Sequence, residues 1–198
     1  MRILVVGATG LLGKEIIQLL SPKHEVIGAS RNGPALKVDL SDPGSIVAMY
    51  NDAGPLDAVI CVGGTAKFAP LDELQDSDYA FSLANKLMGQ VNLVRCGAQK
   101  INPGGSITLT SGTLAQHPMP GGAAISLVNA GIEAFARTAA LELRGMLRVN
   151  VVSPGWVAES MQLMGRDATD AVRASVVAQA YRKCVEESIS GQVVTAAR

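Results

Sequence analysis

Aromatic side chains make up only 4% of the 198 residues, and the chain carries no excess of either charge. An interior with so few rings has to be filled by small and branched aliphatic side chains. That suits a sheet buried on both faces under closely packed helices. Seventeen acidic residues cancel seventeen basic ones. With no basic block, neither nucleic acid nor an anionic membrane surface is an expected partner, and a small molecule is. Cysteine is scarce too: Cys61, Cys96 and Cys184 are odd in number and far apart. They fit no disulfide framework and no metal spacing, so buried reduced thiols and no metal site are expected. No apolar run is long enough to span a membrane. The first strand begins by the third residue, which leaves no room for a signal peptide and points to the cytoplasm. Repeats, low-complexity tracts and linkers are also missing, so residues 1–198 are expected to form one domain.

Apolar runs alternate with helical patterns throughout. Strands are expected at Ile3–Val6, Glu25–Ala29, Ala35–Val38, Ala58–Val62, Ser106–Thr110, Arg148–Val152 and Gln192–Thr195. Helices are expected to about Leu20, over Pro43–Tyr50, Asp76–Lys100, Gly122–Leu143 and Asp167–Glu187. This alternation specifies an α/β fold, a doubly wound parallel sheet of about seven strands. One connection is too short. Only Arg31–Pro34 separate the second and third strands, whereas a parallel crossover takes about a dozen residues or more. Either the third strand is rudimentary, or the crossover has lost its helix.

Gly7-Ala8-Thr9-Gly10-Leu11-Leu12-Gly13 stands between the first strand and the first helix. Glycine serves three needs there: a sharp exit from the strand, close approach of backbone to a pyrophosphate, and tight packing of helix on sheet. The helix N-terminus adds free N–H groups and a positive dipole. In this strand–turn–helix context the loop reads as the dinucleotide site of a Rossmann-type fold. The second strand ends at Ser30-Arg31-Asn32. An acid at this point would take the ribose hydroxyls of NAD; Arg31 instead suits a 2′-phosphate, with Ser30 and Asn32 as further donors, so NADP(H) is favoured over NAD(H).

From these residues onward the chain resembles the short-chain dehydrogenase/reductase family over nearly its whole length. Asp39 and Leu40 resemble the segment after strand three, whose Asp contacts the adenine in the family. Val62, Gly63 and Gly64 lie where the family turns under the adenine ribose. Asn85 falls where it places an Asn that holds a helix bulge and a water; a plain polar helix residue is the alternative. Ser111 follows the fifth strand near the family's catalytic serine. Asn150 with Ser153-Pro154-Gly155-Trp156-Val157 resembles the loop whose backbone grips the nicotinamide carboxamide, implying Pro154, Gly155 and Val157 as cofactor contacts. The resemblance further implies a homodimer or homotetramer built through helices 76–100 and 122–143.

The family's proton relay, Tyr-x-x-x-Lys on the helix after strand five, has no counterpart. Aligning back from Ala139-Ala140-Leu141-Glu142-Leu143 puts Ile125 at the tyrosine position, Asn129 at the lysine position and Gly112 at the serine position. A one-residue slip offers Ser126 and Ala130 instead. Asn129 remains able to hydrogen-bond the nicotinamide ribose, and Ser111 and Thr110 to bind a substrate carbonyl. His117, on the following loop, is the candidate replacement acid, since histidine is the residue type suited to proton transfer at physiological pH. Met119, Trp156, Met161 and Met164 flank the expected mouth, where residues 158–165 form either an apolar lid or ordinary packing.

Three functions of different kinds follow. The first is an NADP(H)-dependent oxidoreductase acting on a small carbonyl or alcohol through an atypical catalytic site. The second is a catalytically degenerate NADP(H)-binding sensor or regulatory module. The third is an assembly subunit, which the intact cofactor loops argue against.

Overall fold

A computed structural model describes residues 1–33 and 35–196. Seven parallel strands form one sheet in the order β3-β2-β1-β4-β5-β6-β7. The strands are β1 (Arg2–Val6), β2 (Glu25–Ser30), β3 (Leu36–Lys37), β4 (Leu56–Cys61), β5 (Ile101–Thr110), β6 (Arg148–Pro154) and β7 (Val193–Ala196). The helices are α1 (Leu11–Leu20), α2 (Pro43–Ala53), α3 (Asp76–Ser82), α4 (Gly89–Gly97), α5 (Ala123–Glu142), α6 (Ala158–Leu163) and α7 (Ala174–Glu186).

The period of two along each strand sorts side chains to the two faces. Leu4, Val6, Val59 and Cys61 join Ile46 and Tyr50 of α2, Leu93 of α4 and Ile132 of α5. Ile3, Val5, Ala58 and Ile60 join Ile16 and Leu20 of α1 and Val177 and Tyr181 of α7. Both faces of the central strands are thus buried, as a parallel sheet of aliphatic residues requires. Cys61 and Cys184 are buried free thiols, and Cys96 is partly buried. No helix among the described residues is long and apolar enough to cross a membrane.

Both readings of the short crossover hold together: β3 is two residues long, its ladder continued by the Val38 N–H bonded to Ser30 O, and the described residues of the crossover form a turn at Arg31 and Asn32 and no helix. Pro34 of that crossover, and Ala197 and Arg198 at the chain end, lie outside the described residues. Two helices differ from expectation. The single helix expected over Asp76–Lys100 is interrupted by a π-helical segment, Leu83–Met88, that contains Asn85, in keeping with the helix bulge that the family resemblance implies there. The Asn85 carboxamide oxygen accepts the Thr65 N–H at 2.7 Å, tying the segment to the chain beyond β4. The helix expected from Asp167 starts only at Ala174. Before it, Val172 bridges to Val157, and the Asp167 carboxylate accepts from the backbone N–H and hydroxyl of Thr169, a local turn that competes with helix. Glu159 of α6 accepts the Ala174 N–H at 2.9 Å and so opens α7.

Candidate functional site

The carboxyl ends of β1 and β4 meet where the strand order reverses, the place where an open α/β sheet leaves a crevice. Gly7 leaves β1 with φ of +92°, and its N–H, like that of Ala8, bonds to Ala29 O. A Cβ on Gly7 would lie 2.7 Å from the Gly63 N. A Cβ on Gly13 would lie 2.2 Å from Gly7 O and under 3 Å from the Ala8 backbone. Only glycine therefore lets loop, turn and helix approach one another this closely. Gly10 caps α1 without any side-chain bond, and the first turn of α1 carries no acid. The amides that open α1 have no intrahelical acceptor and remain available to an anion.

A recess of about 350 Å³ opens beside this loop. Of the residues expected at a nucleotide, Gly7, Thr9, Gly10, Ser30, Arg31, Leu40, Val62, Gly63 and Gly64 line it, together with Val6, Val38, Thr65 and Asn85. Leu11, Leu12, Gly13, Asn32 and Asp39 are not among the lining residues. Asp39 is instead engaged locally: its carboxylate accepts from the backbone N–H and the hydroxyl of Ser41 at 2.9 and 2.6 Å, which holds its pKa below the usual carboxylate value. The Ser30 hydroxyl is buried without a partner among the described residues, and Arg31 and Asn32 are exposed.

A second recess of about 150 Å³ lies at the ends of β5 and β6. It is lined by Ser111, Gly112, Thr113, Leu114, Ile125, Asn129, Pro154, Gly155 and Trp156. Val157 is buried beside it but pairs with Val172. His117 is exposed beyond the 3₁₀ turn Thr113–Ala115, and it is not among the lining residues. Thr110 does not reach the recess. Its hydroxyl is buried against Cys61 O and the Tyr181 hydroxyl, and the Gln90 side chain clamps its backbone on both sides. The expectation that Thr110 binds a substrate carbonyl is therefore wrong, because its side chain points into the α7 side of the sheet. Asn150 likewise serves the scaffold, bonding Ile189 O and the Gln192 N–H to fix the approach of β7.

The residue that the sequence reading overlooked is Glu133. It is 1% exposed, and its carboxylate accepts from the Ser111 hydroxyl at 2.8 Å and from the Gln116 side chain, with the Arg137 guanidinium at 3.7 Å. Ile125, Asn129 and Glu133 recur at four-residue spacing, which places them on one face of α5. That spacing was the available signal. The segment expected as a lid or as ordinary packing contains α6, which buries none of its residues and lines neither recess; Leu163 is 84% exposed.

The profile of the enoyl-(acyl carrier protein) reductase family matches residues 17–195. The chain is 31% identical over 162 residues to the hydroxynaphthalene reductase of Aspergillus fumigatus, covering 78% of this chain and 56% of that protein. It thus spans little more than half the length of that relative. Two solved structures match it nearly end to end. The protein lin1944 of Listeria innocua superimposes with a TM-score of 0.94 at 37% identity, covering 98% of both chains. A small-chain dehydrogenase in complex with NADPH superimposes with a TM-score of 0.89 at 28% identity, covering 98% of this chain and 95% of that one.

Proposed function

Since the chain belongs to the short-chain dehydrogenase/reductase family, a family of nicotinamide-dependent oxidoreductases, we propose that it binds NADP(H) in preference to NAD(H) and acts on a small carbonyl or alcohol. The observation that carries this reading is the glycine cradle. A Cβ on Gly7 would strike the Gly63 backbone and one on Gly13 the backbone of Gly7 and Ala8, so neither position admits a side chain, and both lie beside an uncapped helix N-terminus and a recess rimmed by Arg31. In this reading Thr9, Gly10 and the opening amides of α1 hold the pyrophosphate. Ser30, whose buried hydroxyl lacks a partner among the described residues, and Arg31 take the 2′-phosphate. Val62, Gly63 and Gly64 border the adenosine, and Pro154, Gly155 and Asn129 border the nicotinamide end. The solved relative that carries NADPH supports the same choice of cofactor.

The bound nicotinamide supplies the two-electron chemistry, so the protein's share is to orient, to exclude water and to manage a proton. The usual residues for that last task are missing: no tyrosine in the chain is followed four residues later by lysine. Ile125 and Asn129 line the recess in their stead. Loss of a general acid costs a factor of roughly 100 to 10,000, which slows turnover without abolishing it. The test is substrate-dependent NADPH oxidation across a panel of quinones, aldehydes and ketones. Saturable turnover with any of them supports the enzyme. Cofactor binding with no turnover across the panel favours the sensor reading, in which the same recess reports the cofactor.

A further inference from the structure

The second recess carries information about its ligand that the fold alone does not. A carboxylate can only accept hydrogen bonds, whereas a serine hydroxyl has one hydrogen to give and two lone pairs. At 2.8 Å from Glu133, Ser111 gives its one hydrogen to the carboxylate, and both other neighbours of that carboxylate, Gln116 and Arg137, are donors as well. Any further hydrogen bond at the Ser111 oxygen must therefore be accepted by it. Asn129 repeats the pattern. Its amide nitrogen faces Gly112 O at 3.5 Å, which fixes the orientation of the carboxamide and leaves its oxygen buried with no partner among the described residues. A buried, unpaired acceptor costs free energy until a donor reaches it. Both residues line the same recess, whose other walls include Leu114, Ile125, Pro154 and Trp156.

We infer that Glu133 makes this recess a hydrogen-bond acceptor site, so that it selects an apolar ligand bearing a hydroxyl over the corresponding carbonyl. Calling that ligand the substrate rests on the oxidoreductase reading above, and the inference then names its class: the alcohol is the form this protein recognises. Glu133 acts here as a positioning residue, through Ser111.

The test is equilibrium binding of two probes, followed by ligand-observed NMR, to the protein alone and to the protein saturated with NADP⁺. The probes are 2-phenylpropan-2-ol, which has no carbinol hydrogen to lose, and acetophenone, which the oxidised cofactor cannot reduce, so neither turns over. The alcohol is expected to bind about tenfold tighter, the scale of one well-made hydrogen bond against one left unmade. Glu133→Met frees the Ser111 hydrogen and should bring the two affinities within about threefold. Ser111→Ala, a smaller change that keeps the fold, should weaken the alcohol and leave the ketone unchanged. Equal affinities in the unaltered protein, tighter ketone binding, no saturable binding of either probe, or an unchanged ratio in Ser111→Ala would each overturn the inference. A titration of the same sample with NADP⁺ reads the cofactor proposal separately: an alcohol preference without cofactor binding would refute that proposal and leave this one standing.

Discussion

Replacing glycines of the cradle one at a time should separate packing from nucleotide binding. Gly13 has no room: an alanine Cβ there would stand 2.2 Å from Gly7 O, more than about 1 Å inside ordinary van der Waals contact, and 2.8 Å from the Ala8 Cα, also well inside it. Both neighbours are backbone, so loop and helix must move apart. Overpacking of this kind costs about 1–3 kcal/mol, or roughly 2–12 °C in Tm for a chain of this size. Gly10 is different. Its φ of −75° and ψ of 173° suit alanine, and a Cβ there meets only Gly7 O at 3.3 Å. The fold should lose no more than about 1 kcal/mol, the cost of a poorer helix cap. The added methyl nevertheless stands where the pyrophosphate has to approach the backbone. Losing one charge-assisted bond from an amide, worth about 1.5–3 kcal/mol, weakens cofactor binding roughly 10- to 150-fold. Thermal melts followed by circular dichroism, paired with calorimetric titration of NADPH, read both quantities on the same samples. Gly13→Ala should lower Tm and affinity together, and Gly10→Ala should lower affinity nearly alone. If Gly10→Ala binds NADPH within twofold of the unaltered protein, the pyrophosphate does not pass over Gly10 and the reasoning fails.

Arg31→Asp should reverse the preference for NADPH over NADH by calorimetry, since it exchanges a phosphate-binding cation for a repelling carboxylate; an unchanged ratio would remove Arg31 from the selection. Lys86 is buried in the π-helical segment, which pushes its pKa down to about 8. Between about pH 8 and 10.5 the unfolded chain keeps the Lys86 proton and the folded one loses it, so stability rises with pH across that window; at pH 7 both states hold the proton and the folded state bears the burial cost. Lys86→Met should therefore be the more stable protein at pH 7, by roughly 3 kcal/mol, and the advantage in Tm should shrink towards pH 10; a constant difference would contradict the assignment. His117→Gln should leave NADPH affinity and any turnover found in the substrate panel within twofold, because the ring is exposed and outside the recess; a tenfold loss would restore His117 as an acid.

Much of the fold was legible because short aliphatic runs and the Gly7–Gly13 loop each have one dominant physical solution. A parallel sheet needs Ile3–Val6 and Ala58–Val62 buried on both faces, and the loop between strand and helix has to be glycine. The π-helical interruption at Leu83–Met88 was legible only through the family resemblance, which places at Asn85 an Asn that holds a helix bulge; the residues themselves keep helical periodicity, and the Asn85 contact with Thr65 marks the bulge. The late start of α7 escaped because residues 167–173 look helical in sequence, yet side chains at Asp167 and Glu159 bond the backbone and end one element before another begins. At the site, the lining glycines were readable from turn chemistry. Thr110 was misplaced because a strand's last residue can face either side, and the Tyr181 hydroxyl on α7 decides which. Glu133 was missed because a glutamate on an Ala-rich helix ordinarily reads as solvent-facing, and only its partners Ser111 and Gln116 explain its burial.

The account stands or falls on nucleotide recognition by this loop. Calorimetric titration of the purified protein with NADPH and, separately, with NADH tests it most directly. Saturable one-to-one binding of NADPH, with NADH at least about tenfold weaker, as loss of one charge-assisted contact requires, is the predicted result. Equal affinities would contradict the role given to Ser30 and Arg31, and binding of neither cofactor would contradict the central claim.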